Sequence, residues 1–214
     1  MTQNTSSAVM AQRREPHKSL DDFPTPPWAT RALCERLRDR GYIQPWHVCR
    51  EPAANRGHMV KPLQEYFDEV KASDIFDYGA GFVRCDYLFG QQPPSSVNWT
   101  ITNPPFRLAT EFILRAIDAS SVGAAFIVRT AFLESIGRFD RLFRFEPPSL
   151  IWQFSERVVM HKGKLSEKGS TATAYCWLVW LKDRPSVKPQ FDWIGPCRAR
   201  LELPGDYPRS DGAK

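Results

Sequence analysis

Four short stretches dense in proline, glycine and acidic residues each sit where a strand-like run ends. EPAANRG (51–57) follows residues 46–50, SDIFD closes 69–73, RCDYLF closes 82–84, and TNPPF closes the apolar run 99–102. Between these runs lie helix-like stretches at 58–66 and 110–119, the second with Phe112, Ile113, Ala116 and Ile117 as its apolar stripe. Strands alternating with helices predict a mostly parallel sheet, and in such sheets ligands bind beyond the carboxyl ends of the strands. The chain therefore reads as an α/β fold whose unusual sequences gather at one edge of the sheet.

The flanks read differently. Residues 1–19 are polar without a hydrophobic period and are expected to form a disordered tail. Residues 21–28 (DDFPTPPW) are extended, because each residue before a proline is pushed out of the helical region. An amphipathic helix follows over 30–40, with Leu33 and Leu37 on one face and Gly41 as its stop. Beyond the alternating part, 124–128 reads as a buried strand and 132–143 as helix. Residues 150–154, 157–160 and 172–181 read as strands, with a polar loop at 163–169. One catalytic domain over 20–182 is expected, with an irregular extension over 183–214.

Composition narrows the functional classes. The longest apolar run, 174–181, is far short of a membrane span, and no apolar stretch follows a basic start, so neither a membrane protein nor a signal peptide is expected. The five cysteines and four histidines show no ligand spacing, so no metal site is expected. An odd, scattered set of cysteines fits a reducing cytoplasm. The net charge of +5 permits a polyanionic partner without requiring one.

Chemistry is carried by the strand ends. In Asn103-Pro104-Pro105-Phe106, two prolines fix two φ angles and remove two N–H donors. Such a stiff corner can aim the Asn103 side-chain oxygen and the Pro104 carbonyl at one point, which suits a planar NH2 group. Phe106 offers a ring for stacking. Asp74 follows Glu51 by 23 residues, close to the spacing of a ribose-binding acid in nucleotide-binding α/β units.

These motifs resemble the amino-methyltransferases, a class I family that transfers methyl groups from S-adenosylmethionine, and in particular its DNA adenine-N6 members. The resemblance implies a Rossmann-like fold: a seven-stranded, mostly parallel sheet with an antiparallel last strand and helices on both faces. Asn103, Pro104, Pro105 and Phe106 correspond to the family's catalytic Asx-Pro-Pro-aromatic loop. Glu51, Pro52, Ala53, Asn55 and Gly57 correspond to its cofactor loop EPxAGxG, with Asn55 in a glycine position; asparagine is the residue that best tolerates a positive φ there. Asp74 and Ile75 correspond to the ribose-binding turn. Asp86 and Tyr87 correspond to the acid and apolar wall around the cofactor's adenine. Phe23, Thr25 and Pro26 correspond to the F-x-T-P motif, which here precedes the first strand.

The implied substrate is adenine in DNA, flipped out of the stack and held against Phe106. The loop also serves enzymes that methylate RNA amino groups or protein glutamine, and a non-catalytic binding module is a further alternative. Phenylalanine at 106 and the FPTPPW lead-in favour DNA. The look is that of phage- or prophage-borne enzymes. No separate recognition domain is expected. Arg129, Arg138, Arg141 and Arg144 follow strand ends, where they fit either phosphate contacts or a solvated helix face.

Overall fold

The computed structural model describes residues 21–90, 97–184 and 188–208; the tail expected at 1–19 lies outside these. In chain order the main elements are α1 (Pro27–Asp39), β1 (Val48–Glu51), α2 (Val60–Leu63), β2 (Glu69–Asp74), β3 (Val83–Arg84) and β4 (Val97–Thr102). Then come α3 (Ala109–Ala119), β5 (Ser120–Arg129), α4 (Ile136–Arg138), β6 (Leu150–Phe154), β7 (Tyr175–Leu181), β8 (Gln190–Ile194) and α5 (Arg198–Leu201).

The two-residue period of an extended chain builds two cores from one sheet. Along β5, Ala125 and Ile127 enter one core while Ala124, Phe126 and Val128 enter the other. β7 runs antiparallel beside it and divides in the same way, Trp177 and Val179 against Cys176, Leu178 and Trp180. A strand covered on both faces must be apolar at every position, hence the unbroken run in β7. α1 covers the first core with Trp28, Leu33 and Leu37, and α3 covers the second with Phe112, Ile113 and Ala116. Each such fully buried side chain contributes about 1.5–3 kcal/mol.

The sheet order is β3-β2-β1-β4-β5-β7-β6-β8, parallel from β3 through β5. The expected α/β class and mostly parallel sheet hold. The sheet has eight strands rather than seven, because residues 190–194, expected to be irregular, pair parallel with β6. The antiparallel strand is thus β7, with one more strand after it in the chain. Residues 158–160 are buried and extended but lie outside the sheet, and the stretch read as a helix over 132–143 is a 3₁₀ turn, a short helix and a π turn.

Chain order reverses between β1 and β4, the point in an open sheet where neighbouring loops diverge and leave a crevice. The two strands are tied there. Glu51, fully buried at the end of β1, accepts hydrogen bonds on Oε1 from Thr102 at the end of β4 (2.5 Å) and from the Ala53 amide (2.9 Å). Burial raises its pKa to about 8. The folded protein therefore keeps a proton that the unfolded chain releases near 4.5.

A buried charge fastens the C-terminal segment. Arg31, on α1, donates to both carboxylate oxygens of Glu65 and of Asp206 at 2.7–3.1 Å, and to the Leu201 carbonyl at 2.8 Å. Arg31 and Asp206 keep only 6% and 7% of their side-chain surface exposed. Residues 201–206 are therefore a strap across α1.

Asp206→Ala leaves Arg31 buried with half its partners and should cost about 3 kcal/mol in urea unfolding. The wild-type protein should lose stability as pH rises from about 4.5 to about 8 through Glu51, by up to about 1.4 kcal/mol per unit. Glu51→Gln should flatten that slope in the same titration.

Candidate active site

The carboxyl ends of β1, β2, β3 and β4 enclose a cavity. Of the residues singled out from sequence, Phe23, Thr25, Pro52, Ala53, Asn55, Asp74, Ile75, Asp86, Tyr87, Asn103 and Pro105 all line it. Five lie behind or beside its wall. Glu51 is buried under the loop, Pro26 and Pro104 are buried, Gly57 ends the turn, and Phe106 lies beyond the lining.

The loop after β1 turns at Asn55, whose φ is +50°. It is the only non-glycine residue with a positive φ among the described residues, in the place where the resemblance calls for glycine. Three contacts hold it. Its amide donates to Asp74 Oδ2 (2.9 Å), its Nδ2 donates to Asp22 Oδ1 (2.7 Å), and its Oδ1 accepts from the Arg56 amide (2.7 Å). The left-handed cost, about 1–2 kcal/mol for most residues, is lower for asparagine and is offset here by bonding. Gly57 has a φ of +84°, and a Cβ there would meet the Phe82 ring at 3.0 Å.

Asp74, half-buried, also accepts from the Phe76 amide at 2.9 Å. Burial raises its pKa, against the lowering effect of the amides that hold it. Asp86 accepts from the Leu88 amide at 3.0 Å and is exposed on the cavity rim. Tyr87 is buried against Phe112, with ring centres 5.0 Å apart. Sequence reasoning missed several wall residues. His58 is held neutral, its pKa lowered to about 4 by burial and by Arg56 and Lys61. Met59, Phe76, Tyr78, Cys85 and Leu108 also line the space. Ile75 and Phe76 are apolar side chains left 57% and 44% exposed beside an acid, a pattern visible in SDIFD.

Asn103 is the most tightly specified residue. Its Nδ2 donates to the Phe23 carbonyl (2.8 Å) and to Thr25 Oγ1 (3.0 Å), and lies 3.8 Å from Met160 Sδ. A carbonyl can only accept, so the amide orientation is fixed. Its Oδ1 is buried and has no hydrogen-bond partner among the described residues. Asp21, given no role from sequence, accepts from the Phe106 amide at 2.8 Å and so ties the lead-in to the proline corner.

Phe106 stands 5.2 Å from Phe23, with the Arg129 guanidinium 4.1 Å from its ring centre. The other arginines are engaged elsewhere. Arg138 donates to the carbonyls of Ala131, Phe132 and Glu134, while Arg141 pairs with Glu111 and Arg144 with Asp140.

No protein-family model and no curated protein matches the sequence. Solved structures do match by shape. A Listeria monocytogenes protein assigned as a class I S-adenosylmethionine-dependent methyltransferase aligns with a TM-score of 0.61 at 13% identity, over 82% of this chain and 67% of its own. The methyltransferase subunit of a type I restriction-modification system from Streptococcus thermophilus aligns at 0.60 and 9%, over 80% and 48%. A Pyrococcus horikoshii protein assigned as an RNA methyltransferase aligns at 0.57 and 17%, over 79% and 91%. The chain thus spans about half the length of the restriction-modification subunit. At these identities the likeness is one of fold: the chain has the Rossmann-like fold of the class I methyltransferases.

Proposed function

We propose that this protein transfers a methyl group from S-adenosylmethionine to the exocyclic N6 amine of adenine in DNA. The observation that carries the reading is Asn103 Oδ1, a buried acceptor with its amide orientation fixed and no partner among the described residues. Leaving such an atom unpaired costs about 1–3 kcal/mol, a cost that a bound NH2 group would remove.

The cavity residues fit the cofactor chemically. Asp74 and Asp86 are acceptors for hydroxyl and amino donors, with Ile75, Phe76 and Tyr87 as apolar walls for a purine. Phe23 and Thr25 bond Asn103, and Pro52, Ala53 and Asn55 line the same cavity. When bound, S-adenosylmethionine supplies an electrophilic methyl group on a sulfonium.

The protein's own contribution is positioning. Asn103 Oδ1, with the Pro104 carbonyl as second acceptor, takes the two N–H bonds of the amine and raises electron density on its nitrogen. That interaction strengthens as positive charge develops there, so it favours the transition state. The neutral His58 and the hydrogen-bonded Asp74 are not placed as bases by this scheme, and none is needed before attack.

Several neighbours of the fold act on nucleic acid by their descriptions, which supports a nucleic-acid acceptor. The second reading is an RNA amine, supported by the match in length to the Pyrococcus protein.

Labelled methyl groups should pass to DNA and appear as N6-methyladenine after nucleoside digestion; label in RNA or protein alone would overturn the DNA assignment. Asn103→Ala should lower kcat about 100-fold or more while S-adenosylmethionine still raises the melting temperature. Equal loss of both would remove Asn103 from its assigned role.

A further inference from the structure

Phe106 is not a free stacking platform in this structure. The guanidinium carbon of Arg129 lies 4.1 Å from the centre of the Phe106 ring and 5.6 Å from that of Phe23, whose ring is itself 5.2 Å from Phe106. Arg129 ends β5, opposite Tyr175 of β7, and is an electrostatic partner of the Tyr175 hydroxyl. Its side chain is exposed, and no carboxylate pairs with it among the described residues. Arg138, Arg141 and Arg144, by contrast, are bound to carbonyls or acids of their own neighbourhood. On the same proline corner, Asn103 Oδ1 is buried and has no hydrogen-bond partner among the described residues.

A guanidinium is planar, delocalised and weakly hydrated, and it stacks on aromatic faces as a base does. Moving this strand-end arginine breaks no ion pair within the described residues; its contact with the Tyr175 hydroxyl is the bond it gives up. We propose that Arg129 is a placeholder for the substrate base: it covers Phe106 in the free protein, and the incoming nucleobase takes its position against the ring. This rests on Phe106 being the base-stacking residue of the proposed methyl transfer. The placeholder covers a face of the Phe106 ring that would otherwise be bare apolar surface. The released guanidinium stays tethered at the end of β5, with its charge available to a phosphate of the displaced nucleotide.

The test uses 2-aminopurine riboside, a fluorescent nucleoside without phosphate, titrated into the full chain with a saturating S-adenosylmethionine analogue lacking the methyl group. Without the stacked cation to displace, Arg129→Ala should bind this probe roughly two- to fivefold more tightly than wild type. Arg129→Lys, which keeps the charge but loses the planar stack, should fall between the two. Tighter binding is an outcome that general damage to the fold does not produce, and Arg129→Gln provides a second neutral variant should the alanine protein fail to fold. Unchanged or weaker probe binding in folded Arg129→Ala or Arg129→Gln overturns the placeholder. Phe106→Ala separates the two layers of the argument. It should weaken the probe about tenfold or more. If Phe106→Ala has no effect, the stacking role itself fails; if it weakens binding while the Arg129 variants do nothing, only the placeholder fails.

Discussion

The arrangement of this site depends on one side-chain amide. Asn103 could present either its oxygen or its nitrogen to the cleft, and the Phe23 carbonyl decides which, since only the NH2 end can donate to it. Thr25 Oγ1 takes the second proton. The oxygen is left as an acceptor held in place from behind. An aspartate at this position would set a carboxylate 2.8 Å from a carbonyl oxygen, a repulsion the present lead-in cannot relieve. The structure thus gives a local reason for asparagine here, where the resembling family accepts either residue: the choice is coupled to what stands behind the loop.

Two buried ionisable groups in this protein, one protonated and one charged, fasten the fold. Glu51 ties the ends of β1 and β4 through Thr102, and its raised pKa is the consequence of being placed where water does not reach. Arg31 joins α1 to the chain around Glu65 and to the C-terminal strap, with both partners in bidentate geometry. Glu51 Oε2 is buried without a hydrogen-bond partner among the described residues, whereas Arg31 is bonded through Nε, Nη1 and Nη2. Glu51 lies beneath the loop after β1, and Arg31 one turn along the helix that follows the F-x-T-P segment.

Much of this could be read from the residues because the site lies at strand ends, where sequence is least ambiguous. The double proline after 99–102, the acid 23 residues beyond Glu51, and asparagine in a position needing positive φ all mapped to the geometry found. What escaped had physical reasons. β8 is an edge strand, exposed along most of its length, so Gln190–Ile194 lacks the buried pattern that betrayed β7. Residues 157–160 have that pattern, but they bury it by packing rather than by joining a ladder. The 132–143 stretch has helical composition, yet Ser135 caps a new start within it and divides it. Phe106 was read as an open platform because nothing in a linear sequence shows that Arg129, 23 residues later, folds back over it.

The same limit explains the most important omission, which is the reach of the lead-in. Four residues placed before the first strand bond both the loop after β1 and the corner after β4. Asp21 accepts from Phe106, Asp22 from Asn55 and Arg56, and the Phe23 carbonyl and Thr25 hydroxyl from Asn103. The Asp22 carbonyl also accepts from Gly163, which brings in the loop between β6 and β7. An extended segment can do this because its side chains alternate sides and its prolines remove competing donors. Running between the loop after β1 and the proline corner after β4, it couples the two without any element of its own. Trp28 against Phe154 and Arg31 under the strap then anchor its far end in the core. The order of motifs along the chain, with this segment ahead of the first strand, has a structural meaning: the segment enters from outside the sheet and bonds the loops that follow two of its strands.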